Sequence, residues 1–470
     1  MLTASGLDVI SLLAHNQTYH QSEQQGGPVK RLSVAVCACA LAISAGLATV
    51  GSVSAGAQSS ANKATEVGVT PTQIRIAVVA DVDNPFAPGL FQSAVDSVNG
   101  AAKYINANGG IAGRKIKVDF IDSHLNANDA RNAMITACQQ DFDLVGTEAL
   151  FNSNMDDAIN CKDINGQATG IPDLAAIATG IPETCAPITY TPTGPQLLCD
   201  TKSQHPQTYQ GNQGDSTWFK KNVNKNIHGA FVLPNDTPDA NRGDAVQQAI
   251  WLQNGGKADQ TVTASGRDPQ SVYTPVVQKM KTDNSNLGWN GLAFANVVQF
   301  REEAQLQGLT NPDIIWECTT ACYDKKYIAT GGDAVNNTYI TMAFLPFEEA
   351  KYNQGLANYL KYTGKDKVAG LGVYAWAAGL EFQQALQSVV KDKGNNGITR
   401  ANMLTALKGM TSFNADGFVG TANVGGKVTT DCFVLEQVQK GKFVRVWPKK
   451  KGTFDCTKSN HVQVKADLIK

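Results

Sequence analysis

The chain has 470 residues, 42% of them hydrophobic and 17% charged, and a formal net charge of −1. That length exceeds one ordinary core and predicts two or three domains. The near-neutral charge argues against a nucleic-acid binder, and the basic run Lys449, Lys450, Lys451 reads as a solvated tail.

Residues 1–28 are polar and irregular. Lys30 and Arg31 then precede an apolar, small-residue run over 32–50, and Ala55, Gly56, Ala57 form an A-x-A site. The pattern predicts a secretory signal cleaved after Ala57 rather than a retained anchor, although the run is just long enough to span. Signals start at their own n-region, so translation is expected to begin at Val29. An unprocessed precursor starting at Met1 would refute that. Cys37 and Cys39 stand too early in the apolar run for a lipid anchor.

Those two cysteines leave eight: Cys138, Cys161, Cys185, Cys199, Cys318, Cys322, Cys432 and Cys456. An even number in an exported chain predicts disulfides, and neighbour pairing is the expected scheme. Cys318 and Cys322 have no nearby histidine, and no second close pair completes a zinc site, so no metal is expected.

From residue 70 onward, strands and helices alternate. Residues 74–80 (IRIAVVA) suit a strand buried on both faces. Phe91, Ala94, Val95, Val98, Ala102 and Ile105 recur at helical spacing. Residues 115–122 (KIKVDFID) alternate as a strand. Helix is expected at 129–138, strand at 142–147, helix at 153–159 and strand at 173–179. This rhythm predicts a parallel sheet covered by helices.

The glycine-rich stretch 104–118 (YINANGGIAGRKIKV) raises the possibility of a phosphate loop. Such a loop follows a strand and opens a helix. This one ends a helix and precedes a strand, so it reads as a helix stop and tight turn at the wrong sheet edge for a ligand. Residues 182–214, with five prolines and two cysteines, read as a long connection. A second alternation follows. Strands are expected at 227–233, 291–296, 313–318 and 338–345, and helices at 244–252, 301–307 and 375–390.

Four stretches, GVTPTQIRIAVV, AAKYINANGGIAGRKIKV, SVYTPVVQKMK and GVYAWAAGLEFQQAL, resemble the type I solute-binding proteins of ABC importers. The closest subgroup is the one named for branched-chain amino acids, and the resemblance spans about residues 69–448. It implies an α/β fold of two Rossmann-like lobes with parallel sheets, joined by three crossings. Lobe one is expected at 70–205 plus 338–430, and lobe two at 206–337 plus 431–470. The implied function is to hold a small organic ligand, an amino acid or related compound, between the lobes by hinge closure. The implied partner is a separate membrane permease, and the implied state is a secreted monomer without a cofactor. A sensing subunit that docks on a membrane receptor or kinase uses the same fold and stays open as an alternative.

Ligand residues are expected at strand carboxyl ends. The loop 81–89 offers Phe86 and Ala87. The loop 147–154 offers Glu148 and Ala149, with backbone N–H groups for an anion and Ser153 as a possible N-cap. Thr179 ends the next strand. The loop 234–243 offers Asp236 and Asp239, where the resembling family often has a tyrosine-glycine element. Near 265–275 the amino-acid binders often place a glutamate for the ammonium. None is present here, so Asp236, Asp239 or Asp268 must substitute, or the ligand has no ammonium. Asn296, Thr319 and Tyr374 complete the expected wall. No nucleophile elbow, zincin helix or phosphate loop is present, so the chain is not expected to be an enzyme. His124 follows a strand but reads as a solvated loop residue.

Overall fold

The computed structural model describes residues 61–84, 87–199 and 206–469. The expected signal, its cleavage site, Val29, Cys37, Cys39 and Phe86 lie outside the described residues. The first sheet contains β1 (Gln73–Ala80), β2 (Lys115–Asp122), β3 (Asp143–Val145), β4 (Asp173–Leu174) and β5 (Thr189–Tyr190). All pair in parallel, in the order β2-β1-β3-β4-β5. Ile74, Ala77, Val78 and Val79 of β1 are wholly buried, which is what a nearly continuous apolar run requires of a central strand.

Helices Gln92–Ala107 and Gly370–Lys393 lie against each other over this sheet. Small residues set their approach: a Cβ on Gly379 would stand 2.5 Å from the Ala101 Cβ. Trp376, Phe382, Val98 and Ile105 fill the shared core. The glycine-rich stretch is indeed a helix stop. Gly109, Gly110 and Gly113 all have positive φ, and a Cβ on Gly110 would collide with the Arg114 carbonyl at 2.0 Å. Arg114 itself is buried. It donates to the carbonyls of Thr70, Asn395 and Lys63 at 2.8, 3.0 and 3.0 Å, so its guanidinium clamps three segments and has no hand free for phosphate.

Two short β strands, β6 (Leu197–Cys199) and β7 (Pro206–Asn212), occupy the long connection. They form a small antiparallel sheet with the C-terminal β15 (His461–Lys465). The second large sheet contains β8 (His228–Pro234), β9 (Lys257–Ala264), β10 (Leu287–Asn290), β11 (Ile315–Cys318), β12 (Thr338–Met342), β13 (Val434–Gln439) and β14 (Lys442–Trp447). Its order is β14-β13-β12-β11-β10-β8-β9. β8 to β12 are parallel, and β13 and β14 are antiparallel additions.

Three expectations change. The strand expected at 291–296 is not one: β10 ends at Asn290, and Phe294–Leu306 is a helix that buries Val297, Phe300 and Ala304 on one face. A short apolar run does not distinguish the two states. The helix expected at 153–159 is a single turn, Asp156–Ile159, preceded by an Asn154 side chain that accepts from Asp156 N–H at 2.8 Å. Ser153 is therefore not its cap, and so short a helix gives no anion site. Residues 338–342, placed in lobe one from the resemblance, pair with β11 and belong to the second sheet. The chain thus crosses between the two large sheets after β5, after β12 and before β13.

Disulfides join Cys138 to Cys161, Cys185 to Cys199, Cys318 to Cys322 and Cys432 to Cys456, each a pair of sequence neighbours. Among the described residues, one group of potential metal ligands comes together, Asp431 with Cys432 and Cys456, and its cysteines are already bonded to each other.

Buried acids lie near the crossings. Glu436 on β13 is buried beside Glu348 and the Arg445–Glu349 ion pair, and burial pushes its pKa up to about 9 from 4.5. The folded chain therefore keeps a proton that the unfolded chain releases between those values. Stability attributable to Glu436 is complete below about pH 4.5 and is lost as pH rises toward about 9. Glu436→Gln is expected to flatten the decline in this window by roughly 1 kcal/mol per pH unit, read from urea midpoints.

Candidate functional site

Asp81 is the first residue past β1, and its carboxylate joins loops at the carboxyl end of the first sheet. Oδ1 accepts from Ser123 Oγ at 2.6 Å and Leu125 N–H at 2.8 Å. Oδ2 accepts from Leu150 N–H at 2.8 Å. One fully buried carboxylate so ties the loops after β1, β2 and β3. Burial raises its pKa, with the three hydrogen bonds opposing. The loop that Asp81 begins is also fastened locally: Ala87 N–H donates to Asn84 Oδ1 at 2.8 Å.

Glu148 follows β3. Its backbone pairs with β1, and its side chain is buried with neither oxygen partnered among the described residues. Burial, then the Asp81 charge, pushes its carboxyl well above the usual range. Burial, and to a smaller extent the Glu148 charge, raise the phenols of Tyr374 and Tyr359. Ala149 packs into the core with Val79 and Met155 instead of facing the cleft.

Tyr374, on helix Gly370–Lys393, carries a phenol pushed up to about 12 by burial. Its ring lies 5.7 Å from that of Phe344, centroid to centroid, and a Cβ on Gly370 of the same helix would stand 2.4 Å from the Thr320 carbonyl past β11. The start of the Tyr374 helix thus abuts Thr320. The Thr319 hydroxyl is spent as a cap, accepting from Ala321 N–H at 3.4 Å.

Thr179 stands where the chain leaves β4. Glu183, four residues on, is buried and accepts from Asn152 Nδ2 at 2.8 Å. The two walls meet beside it. Asp239, in the first turn of helix Pro238–Gln253, sets its Oδ2 3.1 Å from where a Gly180 Cβ would be. The other oxygen of Asp239 accepts from Arg242 Nη2. Arg242 Nη1 is buried and has no partner among the described residues.

The remaining candidates hold the loop after β9. Asp236 accepts from Ser265 Oγ at 2.7 Å and Gly266 N–H at 2.9 Å. Asp268 accepts from Ser265 N–H at 2.7 Å. Asn296 is buried and donates to the Gly266 carbonyl at 3.4 Å. His124 is half exposed and pairs with Asp129 at 3.5 Å. Sequence reasoning missed Asp81, Arg242 and Asp244. Asp81 was legible as an acid closing a buried strand, and Arg242 as the one cation in its loop. Asp244 lies within a helix, half-buried, with its carboxylate against Gly291 and Oδ2 shielded from solvent, which no pattern announces.

Two mainly parallel sheets covered by helices and joined by three crossings define a two-lobed α/β protein. The pattern of the family described as "Periplasmic binding protein" matches residues 73–442, and the chain belongs to that family, as a type I solute-binding protein of the ABC-transporter type. No curated protein sequence matches it. Solved structures share the fold. A fatty acid ABC transporter substrate-binding protein from Thermomonospora curvata is 16% identical with a TM-score of 0.61, covering 83% of this chain and 97% of its own. A branched-chain amino acid transporter substrate-binding protein from Streptococcus pneumoniae, in complex with isoleucine, is 13% identical with a TM-score of 0.59, covering 80% and 100%. A solute-binding protein from R. palustris, in complex with benzoate, is 14% identical with a TM-score of 0.56, covering 81% and 99%.

Proposed function

We propose that the chain captures a small organic ligand outside the cytoplasm and, on closing its lobes, presents it to a separate ABC permease. It acts as a monomer, without catalysis or cofactor. The expected signal and the four disulfides support export. The lobes are taken as about 61–199 plus 343–430 and 206–342 plus 431–469, following sheet membership.

We further propose that the ligand lacks an ammonium group. One observation carries this. Each aspartate the sequence offers in place of the missing glutamate is already engaged: Asp236 by Ser265 and Gly266, Asp268 by Ser265, Asp239 by Arg242, and burial pushes the unpartnered carboxyls of Glu148 and Asp244 well above the usual range, toward the neutral form that pairs poorly with an ammonium. A buried ammonium without a carboxylate partner costs several kcal/mol. Relatives of this fold carry fatty acid, isoleucine or benzoate in their names, so the fold alone does not choose.

The test is a thermal-shift screen of the purified chain with benzoate and related aromatic acids, short amides, and leucine, isoleucine and valine. A ligand at a hundred times its Kd adds about 2.7 kcal/mol of stability. The expected result is a rise in Tm with an ammonium-free compound and none with the three amino acids. A rise with leucine, isoleucine or valine overturns the ammonium-free reading and leaves the importer standing.

A further inference from the structure

A cavity of about 500 Å³ is lined by none of Asp81, Glu148, Thr179, Asp236, Asp239 or Tyr374. Its size is that of a small-molecule site. It sits where the two lobes adjoin. Phe443 comes from β14, and Tyr323 and Lys325 follow β11 in the second lobe. Leu360 and Lys361 come from helix Gln354–Thr363, which packs on helix Gln92–Ala107 of the first.

Its floor is apolar and aromatic. Phe347, Leu360, Val368 and Phe443 line it. The Tyr323 ring lies 4.8 Å from Phe347 and 4.6 Å from Phe443, centroid to centroid. The Tyr323 hydroxyl is already used. It donates to Glu348 at 2.6 Å and accepts from Phe347 N–H at 2.7 Å, so an occupant meets the ring rather than the oxygen.

Its rim is cationic. Lys325, Lys361 and Lys365 border it, against one acid, Glu348, which the Tyr323 hydroxyl engages. Lys325 is well exposed and donates to the Lys365 carbonyl at 3.2 Å, which gathers that end of the rim. Lys361 stands over the Tyr362 ring, with Nζ 4.8 Å from its centroid. An apolar trough under several ammonium groups complements one ligand shape: a flexible hydrocarbon with a single anionic head.

We propose that this cavity is a second ligand site, distinct from the interlobe cleft, for an amphipathic monoanion such as a medium-chain carboxylate. The alkyl chain lies on Phe347, Leu360, Val368 and Phe443, and the carboxylate reaches Lys361 and Lys365. The site does not depend on the ammonium-free reading of the cleft.

The test is calorimetric titration of the purified chain with decanoate, with decylamine as the charge control. Decanoate is expected to bind, with decylamine at least about tenfold weaker. Lys361→Glu with Lys365→Glu, both at exposed positions, is expected to weaken decanoate at least about tenfold and to leave Tm unchanged. Phe443→Ser should weaken it as well, because it removes floor and not charge. Absence of decanoate binding overturns the proposal. So does equal binding of decylamine. Decanoate binding that the double charge reversal leaves intact overturns it too, by placing the ligand in the cleft, and the importer reading then survives.

Discussion

Arg400→Ala is expected to cost about 4 kcal/mol of stability, a large share of what a domain possesses. Arg400 opens helix Arg400–Lys408 and is completely buried. Its guanidinium donates to the carbonyls of Phe142, Lys162 and Cys138 at 3.2, 3.0 and 2.9 Å, and to that of Asp141. Nη1 also lies 2.9 Å from Cys161 Sγ. These acceptors flank β3 and the Cys138–Cys161 disulfide, so one side chain fastens a late helix to the centre of the first sheet. Truncation orphans four carbonyls, each worth about 1–3 kcal/mol when left buried, less what entering water restores. It also strips the cation from Asp143, which is buried with both oxygens unpartnered and whose pKa burial already raises strongly. Arg400→Lys keeps the charge but not the fork, and should lose about half as much. The urea midpoint measures both variants. A loss under about 1 kcal/mol for the alanine variant would show that water replaces the guanidinium at little cost.

Arg400 also marks where sequence reading runs out. The strand at 73–80, the two framing helices and the direction of the glycine-rich turn all follow from local signals: apolar period, glycine placement, and the order of helix and strand. Arg114 belongs to that turn, and its position was legible. Its task was not, because its partners Lys63, Thr70 and Asn395 lie up to 281 residues away. The same holds for Asp236. It stands just past β8, in a loop expected to hold the ligand, but its carboxylate is consumed by Ser265 and Gly266 from the loop after the next strand. Side-chain pairing across loops leaves no periodic trace. The run at 291–296 failed for a different reason. Ala293 and Phe294 fit a strand or a helix locally, and burial of Val297 and Phe300 on one helical face decides the state.

Asp81→Ala is expected to cost about 3 kcal/mol and to weaken the cleft ligand at least about tenfold. The two effects share one cause. The Asp81 carboxylate is the common acceptor for Ser123 Oγ, Leu125 N–H and Leu150 N–H, one donor set for each loop after β2 and β3, while its own backbone begins the loop after β1. Alanine leaves three donors without an acceptor, one buried and two half-buried, and frees the loops to move independently. A binding wall must be fixed before the ligand arrives, or the ligand bears the ordering entropy itself. Asp81→Asn separates charge from geometry. Its amide oxygen can accept for Ser123 and Leu125, but its NH₂ faces the Leu150 N–H, donor against donor. Asparagine should therefore keep the loops after β1 and β2 joined, release the one after β3, and fall between wild type and alanine in both readouts. Calorimetric Kd and urea midpoints, taken on the same three proteins, test the linkage. Affinity that stays unchanged in Asp81→Ala while stability falls would separate the loop wall from the ligand, and would move the site toward the Tyr374 and Thr320 side of the cleft.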